Sequence, residues 1–560
     1  MTTPDPKKVR VEFNRRVPMR DGITLSADIY FPIDASASKK YPIILTRTPY
    51  MKLNELQLAL ASYYAEHGYI FVAMDVRGRG DSDGQFVPYI NDGQDGYDAI
   101  EWCATQPWSD RNIGTMGSSY PGRIQWLAAL HQPPHLRAMI VRVTPADPFV
   151  ETPTGLPSPM HLCWLHFVSG HTNQLMEAVD WAQVYEHLPM ITMDERIGRS
   201  IPHWHADIEH PQLDDYWEPL CYQKKFDRVN VPVLHISGWY DDEQIGTPLN
   251  YIGMTAHAAT PEARAGQKLL VGPWGHVVNK DSKLGEVDFG PQALIDLRAE
   301  ELRWFDRWLK GVTDETARDE APVRIFVMGA NEWRDEREWP LARTQWTSYY
   351  LHSQGRANSR FGDGTLSTTK PSAQELPDNY RYDPARPVPF ITEPTSSQIG
   401  GPDDYAAIER RDDVLVYVTG PLSEDIEVTG PIRVDLYASS SAPDTDFTAK
   451  LVDIWPTGFT QRLCDGMVRA RFRDGMDRPS LIEPGRIYHY SIDCWNTAQV
   501  FKAGHRIGLE ISSSAFPKYD RNLNTGAPLG VTTEMAVAEQ RIYHDGEHPS
   551  AVVLPVISKS

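Results

Sequence analysis

Two continuous apolar runs, Pro42 to Thr46 and Tyr69 to Val76, flank a stretch of helical spacing from Glu55 to His67 that stops at Gly68. A run that is apolar at every position suits a strand covered on both faces, and such strands belong to parallel sheets whose crossovers are helices. The alternation repeats: Asp95 to Gln106 has helical spacing, Asn112 to Met116 reads as a short strand, Tyr120 to His131 as a helix and Leu136 to Val143 as another apolar strand. Right-handed crossovers of this kind leave the reactive loops at the carboxyl ends of the strands. Between about 145 and 231 the strand-like runs give way to segments rich in His, Trp, Met and Pro, which read as an inserted, mostly helical cap. The α/β pattern resumes with Val231 to Ser237 and Lys268 to Val271 and closes with a helix across Gln292 to Lys310. Beyond it, short strands such as Val323 to Val327, Val414 to Thr419, Ile432 to Ser439, Ile487 to Ile492 and Ile507 to Ile511 are separated by Gly, Pro, Asp and Asn, the texture of an all-β sandwich. The expected division is an α/β core over 1–144 and 232–320, a helical cap over 145–231 and a β-sandwich over 321–560, several domains being the norm for 560 residues. Ser353 to Asp403, rich in Pro and Ser, reads as a long surface excursion.

Charge narrows the partners. Fifty-five Lys and Arg against 75 Asp and Glu give a net charge of −20, which repels phosphate backbones and anionic headgroups, so neither nucleic acid nor a membrane surface is an expected partner. No run approaches the roughly 18 apolar residues of a membrane span, and the N-terminal segment lacks the apolar stretch of a signal peptide; a cytoplasmic location is the expectation. The five cysteines are scattered and form no C-x-x-C pair, which argues against both a disulfide framework and a zinc site. Gly78-Arg79-Gly80 lacks the third glycine of a dinucleotide fingerprint, and His203, His205 and His210 lack companions at metal-ligand spacing, so no cofactor and no metal are expected.

The chemistry-bearing segment is Gly117-Ser118-Ser119-Tyr120-Pro121-Gly122, between a strand and a helix. Its glycines suit the tight turn of a nucleophile elbow, where the Ser119 hydroxyl is presented and the next backbone N–H, that of Tyr120, points into an oxyanion site. The second glycine sits one place later than in G-x-S-x-G, and a purely structural turn is the competing reading. A serine needs a base, and the base a carboxylate that orients it. Asp241 follows the strand ending at Ser237, and His276 ends the loop Gly272-Pro273-Trp274-Gly275-His276 after the next strand, in the chain order serine, acid, histidine. Asp241 is preferred to its neighbour Asp242, because successive residues of an extended chain face opposite sides. Tyr50, in the loop after Pro42 to Thr46, stands where a second oxyanion donor is needed, with a pocket wall as its alternative.

Taken together, the segments TPY, DVRGRGDSDG, GSSYPG, GWYD and GPWGH, with CDG, FKAGHR and SSSAFP farther on, resemble the family of cocaine esterases and α-amino acid ester hydrolases, relatives of X-Pro dipeptidyl peptidases and glutaryl cephalosporin acylases. The resemblance implies an α/β-hydrolase core, a helical cap and a C-terminal jelly roll. It implies Ser119, Asp241 and His276 as triad, with the Tyr50 hydroxyl and the Tyr120 N–H as oxyanion hole. α-Amino acid ester hydrolases grip the substrate ammonium with acidic residues two and three places after the triad acid; here these are Glu243 and Gln244, one acidic and one neutral, which argues against α-amino selectivity. The expectation is a serine hydrolase of carboxylic esters, possible amides included, with Trp164, Phe167, Trp239 and Trp274 as walls of an apolar acyl pocket beside Glu243. The substrate is then a small-molecule ester or amide, and homo-oligomerisation is left open. An amide or β-lactam acylase, or an acyltransferase capturing the same acyl-enzyme with an amine, is the alternative within this chemistry. A carbohydrate-binding jelly-roll module is the alternative outside it.

Overall fold

The computed structural model describes residues 9–36, 38–312, 320–372 and 374–558. The first eight residues of the expected core lie outside these. Ten strands form the core sheet: β1 (Val9–Pro18), β2 (Thr24–Pro32), β3 (Tyr41–Thr48), β4 (Ile70–Asp75), β5 (Ser109–Ser118), β6 (Leu136–Arg142), β7 (Val233–Gly238), β8 (Gln267–Gly272), and, after a short hairpin of β9 (Lys283–Leu284) and β10 (Val287–Asp288), β11 (Val323–Val327) and β12 (Glu332–Glu336). Their order is β1-β2-β4-β3-β5-β6-β7-β8-β11-β12, parallel from β4 through β11 and antiparallel at both edges. Every residue of β3, β4 and β7 is buried, the burial that uninterrupted apolar runs require. Helices α1 (Glu55–Glu66), α2 (Asp92–Thr105) and α3 (Tyr120–Ala129) make the early crossovers.

The cap consists of short pieces. Helices α4 (His161–Phe167), α5 (Trp181–Tyr185) and α6 (Pro202–Glu209) are joined by 3-10 turns and irregular chain, and Trp181, Trp204, Met190 and Met193 form its core. Helices α7 (Gly246–His257), α8 (Pro261–Ala265) and α9 (Leu297–Lys310) then complete the α/β layer, α9 laying Trp304, Phe305 and Leu309 on the sheet.

Two expectations are corrected. Val323 to Val327 does not open the β-rich part: as β11 it pairs in parallel with β8, so the core sheet runs past residue 320. A short apolar strand carries no mark of which sheet it joins, since pairing is decided by hydrogen-bonding partners and not by composition. Nor is Ser353 to Asp403 a surface excursion. It contributes β14 (Thr365–Ser367) and β15 (Asp378–Tyr382) to an eleven-stranded, mostly antiparallel β domain that also holds β13 (Thr344–His352) and β16 (Leu415–Val418). Its last part carries Val388 and Phe390 into buried clusters with Tyr405 and Tyr519. The remaining strands are β17 (Ile426–Ser440), β18 (Asp446–Ile454), β19 (Thr460–Arg469), β20 (Tyr488–Phe501), β21 (Arg506–Ser512), β22 (Ala538–Tyr543) and β23 (Ala551–Ile557).

The β domain grips the cap through a buried ionic cluster. Arg469, fully buried, donates to Asp446 through two nitrogens at 2.8 Å, to Asp520 at 2.9 Å, and to the cap carbonyl of Thr154 at 2.8 Å. Removing one member of such a cluster strands its partners' charges in a dry site. Arg469→Met is therefore expected to cost about 3–5 kcal/mol, visible as a lower Tm in calorimetry; an unchanged Tm would mean that the two carboxylates find other compensation.

Candidate active site

Ser119 occupies the turn between β5 and α3 with φ 62° and ψ −129°. Its amide donates to the Arg142 and Val143 carbonyls at 3.0 and 2.9 Å, which pins the turn to the end of β6. A side chain at Gly117 would strike Pro121 at 2.5 Å and one at Gly122 would meet the Arg142 carbonyl at 3.0 Å, so both flanking glycines serve close approach of the backbone. That accounts for the displaced second glycine: here it packs the helix against β6.

Tyr50 lies just past β3. Its hydroxyl accepts from the Trp164 indole N–H at 3.0 Å and also interacts with the Ser119 side chain and the Tyr120 backbone N–H. Burial pushes its pKa up to about 12, so the phenol keeps its proton and stays a donor across the neutral range. The loop is braced from the segment after β4. Arg79 is fully buried and donates to the Pro49 carbonyl at 2.7 Å, to the Val168 carbonyl at 2.8 Å and to Asn173 Oδ1 at 2.7 Å, while Asn173 donates to the Tyr50 carbonyl at 3.2 Å. Arg79 is thus a clamp between cap and core.

Asp241 and His276 leave the adjacent strands β7 and β8. His276 Nδ1 stands 2.8 Å from Asp241 Oδ1, while Asp241 accepts from the Ser237 hydroxyl at 2.9 Å and the Glu243 N–H at 3.2 Å. The two loops are laced together, Trp239 N–H to the Gly272 carbonyl at 2.9 Å and Tyr240 N–H to the Trp274 carbonyl at 3.0 Å. Asp242 does not turn away: its Oδ1 comes within 3.5 Å of His276 Nδ1, because residues 239–245 form turns and not the extended chain that alternation assumes. Asp241, Asp242 and His276 are also a group among the described residues whose donor atoms gather closely enough for a metal, and His276 Nδ1 is already taken by Asp241.

A cavity of about 530 Å³ brings together Tyr50, Ser119, Trp164, Asp242, Glu243 and His276. Three of the expected walls are elsewhere. Trp239 donates to the Phe326 carbonyl at 2.7 Å and packs on Trp339, and Trp274 donates to the Ala293 carbonyl at 3.0 Å; both are buried under the sheet-end loops, where an indole finds an acceptor and apolar neighbours at once. Phe167 packs against the Tyr50 ring at 5.9 Å and backs the Tyr50 loop without lining the cavity. Walls come instead from Tyr89, Phe149 and Trp217, and from the β domain, which supplies Ser396, Ile399, Trp495 and Lys518. Gln398 reaches farther: its Oε1 accepts the His276 backbone N–H at 2.8 Å and its Nε2 donates to the Tyr240 carbonyl at 3.1 Å. A side chain at Gly275 would stand 2.0 Å from that Oε1, so the glycine before the histidine is the one sequence mark of this contact. Glu151, a further carboxyl in the cavity, acts on Glu243 electrostatically.

Burial acts on all these groups. It opposes charge on His276, yet the hydrogen bond from the ring to Asp241 and the charges of Asp242, Asp241 and Glu243 outweigh it and raise the ring's pKa to about 10. Burial lifts Asp242 to about 6 and Glu243 well above the usual carboxylate range. Asp242 is thus ionised where the ring titrates, and its negative charge favours the imidazolium. Asp242→Asn removes that charge, so the His276 pKa followed by NMR of labelled histidine is expected to fall; a ring that titrates unchanged would show that Asp242 does not act on it.

With the geometry in hand, residues 21–278 match the family model of the X-Pro dipeptidyl-peptidase (S15 family), and residues 315–553 match that of the X-Pro dipeptidyl-peptidase C-terminal non-catalytic domain. The chain is 38% identical over 582 residues to the cocaine esterase of Rhodococcus sp. (strain MB1 Bresler), covering 98% of this chain and 99% of the relative. Among solved structures, an α-amino acid ester hydrolase superposes with a TM-score of 0.84 at 26% identity, covering 99% of this chain and 98% of the other. An aminopeptidase from a marine sediment archaeon, Thaumarchaeota archaeon, gives 0.87 at 26% identity, covering 100% and 98%.

Proposed function

We propose that this chain, which belongs to the cocaine esterase family and is a serine esterase of the α/β-hydrolase superfamily, cleaves its esters through an acyl-enzyme on Ser119. The observation that carries the residue assignment is convergence: the elbow serine, the Asp241-paired His276 and the Tyr50 hydroxyl arise from three separate loops and border one cavity.

In this reading Ser119 Oγ attacks the acyl carbon while His276 Nε2 takes its proton. Asp241 holds the ring by Nδ1 and stabilises the imidazolium that forms. The tetrahedral oxyanion is received by the Tyr50 hydroxyl and the Tyr120 N–H, donors that stabilise charge as it develops. His276 returns its proton to the leaving alkoxide, the alcohol departs, and water activated by the same ring attacks the acyl carbon; collapse of the second oxyanion frees the acid and restores Ser119. Because the base must be neutral to accept a proton and its neighbours favour the charged form, kcat/KM should climb with pH well beyond the ordinary histidine value of about 6.5.

Ser119→Ala is expected to abolish p-nitrophenyl ester hydrolysis and fluorophosphonate labelling while leaving Tm near that of the parent; retained turnover would remove Ser119 from the chemistry. Tyr50→Phe keeps the ring and deletes one donor, and kcat should fall by about 10²- to 10³-fold with little change in KM, or ~3 to 4 kcal/mol of transition-state stabilisation. A loss under about threefold would make Tyr50 a pocket wall.

A further inference from the structure

One charged side chain in the cavity has no part in this chemistry. Arg123 lies in the first turn of α3, four residues after Ser119. It is only 6% exposed and lines the cavity. Its Nη2 donates to the Leu220 carbonyl at 2.9 Å, and its buried Nε has no partner among the described residues. The guanidinium lies over the Tyr89 ring at 4.7 Å, itself a wall of the cavity. A guanidinium has five N–H donors, and buried donors are ordinarily matched. Nε is closed off, so the donor left for whatever enters the cavity is Nη1, which makes no hydrogen bond among the described residues.

The carboxyls around it are engaged elsewhere. Asp147 accepts the Tyr222 and Gln223 backbone N–H groups at 2.7 and 3.2 Å, and Glu151 accepts the Ala146 N–H at 2.5 Å. Both act on Arg123 through space without forming an ion pair with it among the described residues. Asp207, Asp242 and Glu243 add to the acidic lining, the last with a buried Oε2 that has no partner among the described residues. The lining therefore contains its own cation.

We propose that Arg123 is the specificity residue of this cavity: its free Nη1 N–H groups take an oxygen acceptor on the substrate, and its charge keeps an ammonium group from pairing with Glu151. This rests on the serine-esterase reading of the cavity. It also gives the acidic lining a different consequence from simple attraction of cations, since a substrate ammonium would have to approach a guanidinium that is already in place.

The test compares kcat/KM for three p-nitrophenyl esters of matched length: a plain acyl chain, one with an ether oxygen within it, and one ending in an ammonium. In Arg123→Met the ether-to-plain ratio should fall about tenfold, the scale of a hydrogen bond to a charged group, and the ammonium-to-plain ratio should rise about tenfold. Arg123→Lys retains the charge and should hold the ammonium-to-plain ratio near the parent value. Either ratio staying within about threefold of the parent in Arg123→Met, or a lysine variant that accepts the ammonium ester as the methionine variant does, overturns the proposal. Should Arg123→Met fail to fold, Arg123→Gln, which removes the charge and keeps N–H donors, serves instead: the ammonium-to-plain ratio should rise about tenfold while the ether-to-plain ratio stays within about threefold of the parent, and an ammonium ratio that does not move overturns the proposal. Ser119→Ala must silence all three esters. If it does not, the esterase reading of this cavity fails, an outcome distinct from ratios that fail to move while Ser119 remains essential.

Discussion

The contact between His276 Nδ1 and Asp241 Oδ1 is made across two neighbouring parallel strands, and much of the molecule is arranged to hold it. The strands bring the two loops side by side at their carboxyl ends, as parallel sheets do. The loops then exchange backbone hydrogen bonds, so that neither can shift without the other. From outside the α/β core, Gln398 fastens the histidine's own backbone. A flexible imidazole is thereby held by its ring nitrogen, its main chain and the neighbouring loop together.

That rigidity is bought with burial of acidic groups. Asp241, Asp242 and Glu243 follow one another in the chain, and all act on the ring of His276. Burial in the cavity lifts the pKa of Asp242 and Glu243, with their mutual repulsion adding to it, while their attraction for a proton on His276 raises that of the ring. Lys518 lines the same cavity and pairs with Asp465 at 2.6 Å, placing a β-domain cation at its edge. Asp465, the middle residue of the Cys464-Asp465-Gly466 segment, also binds Arg462 at 2.7 Å.

The β domain is therefore a wall of the site as well as a neighbour of the core. It supplies Trp495 and Lys518 to the cavity, and Arg469 and Arg521 reach across to the cap, the latter through Glu186 at 2.6 Å. His505, by contrast, pairs with Asp453 at 2.8 Å within the β domain and has a structural role. The buried set of Ser353, Asp378 and His544 shares hydrogen bonds of 2.7 to 3.1 Å, yet all three are closed off from solvent, so this second serine-histidine-aspartate grouping is a packing network.

Local order was legible in the sequence wherever a short-range rule governs it. Fully apolar strands announce a sheet covered on both faces, glycines around Ser119 announce a tight strand-to-helix turn, and loops that follow strands announce where Asp241 and His276 emerge. Three outcomes needed the tertiary structure. Val323–Val327 joined the core sheet because its partner was β8; Trp239 and Trp274 went into packing because their loops turned them toward acceptors in the protein; and Gln398 reached the His276 backbone, and Glu151 the cavity, across long separations in the chain. Propensity and periodicity act over a few residues, whereas pairing, burial and electrostatic environment depend on which distant segments the fold brings within a few ångströms.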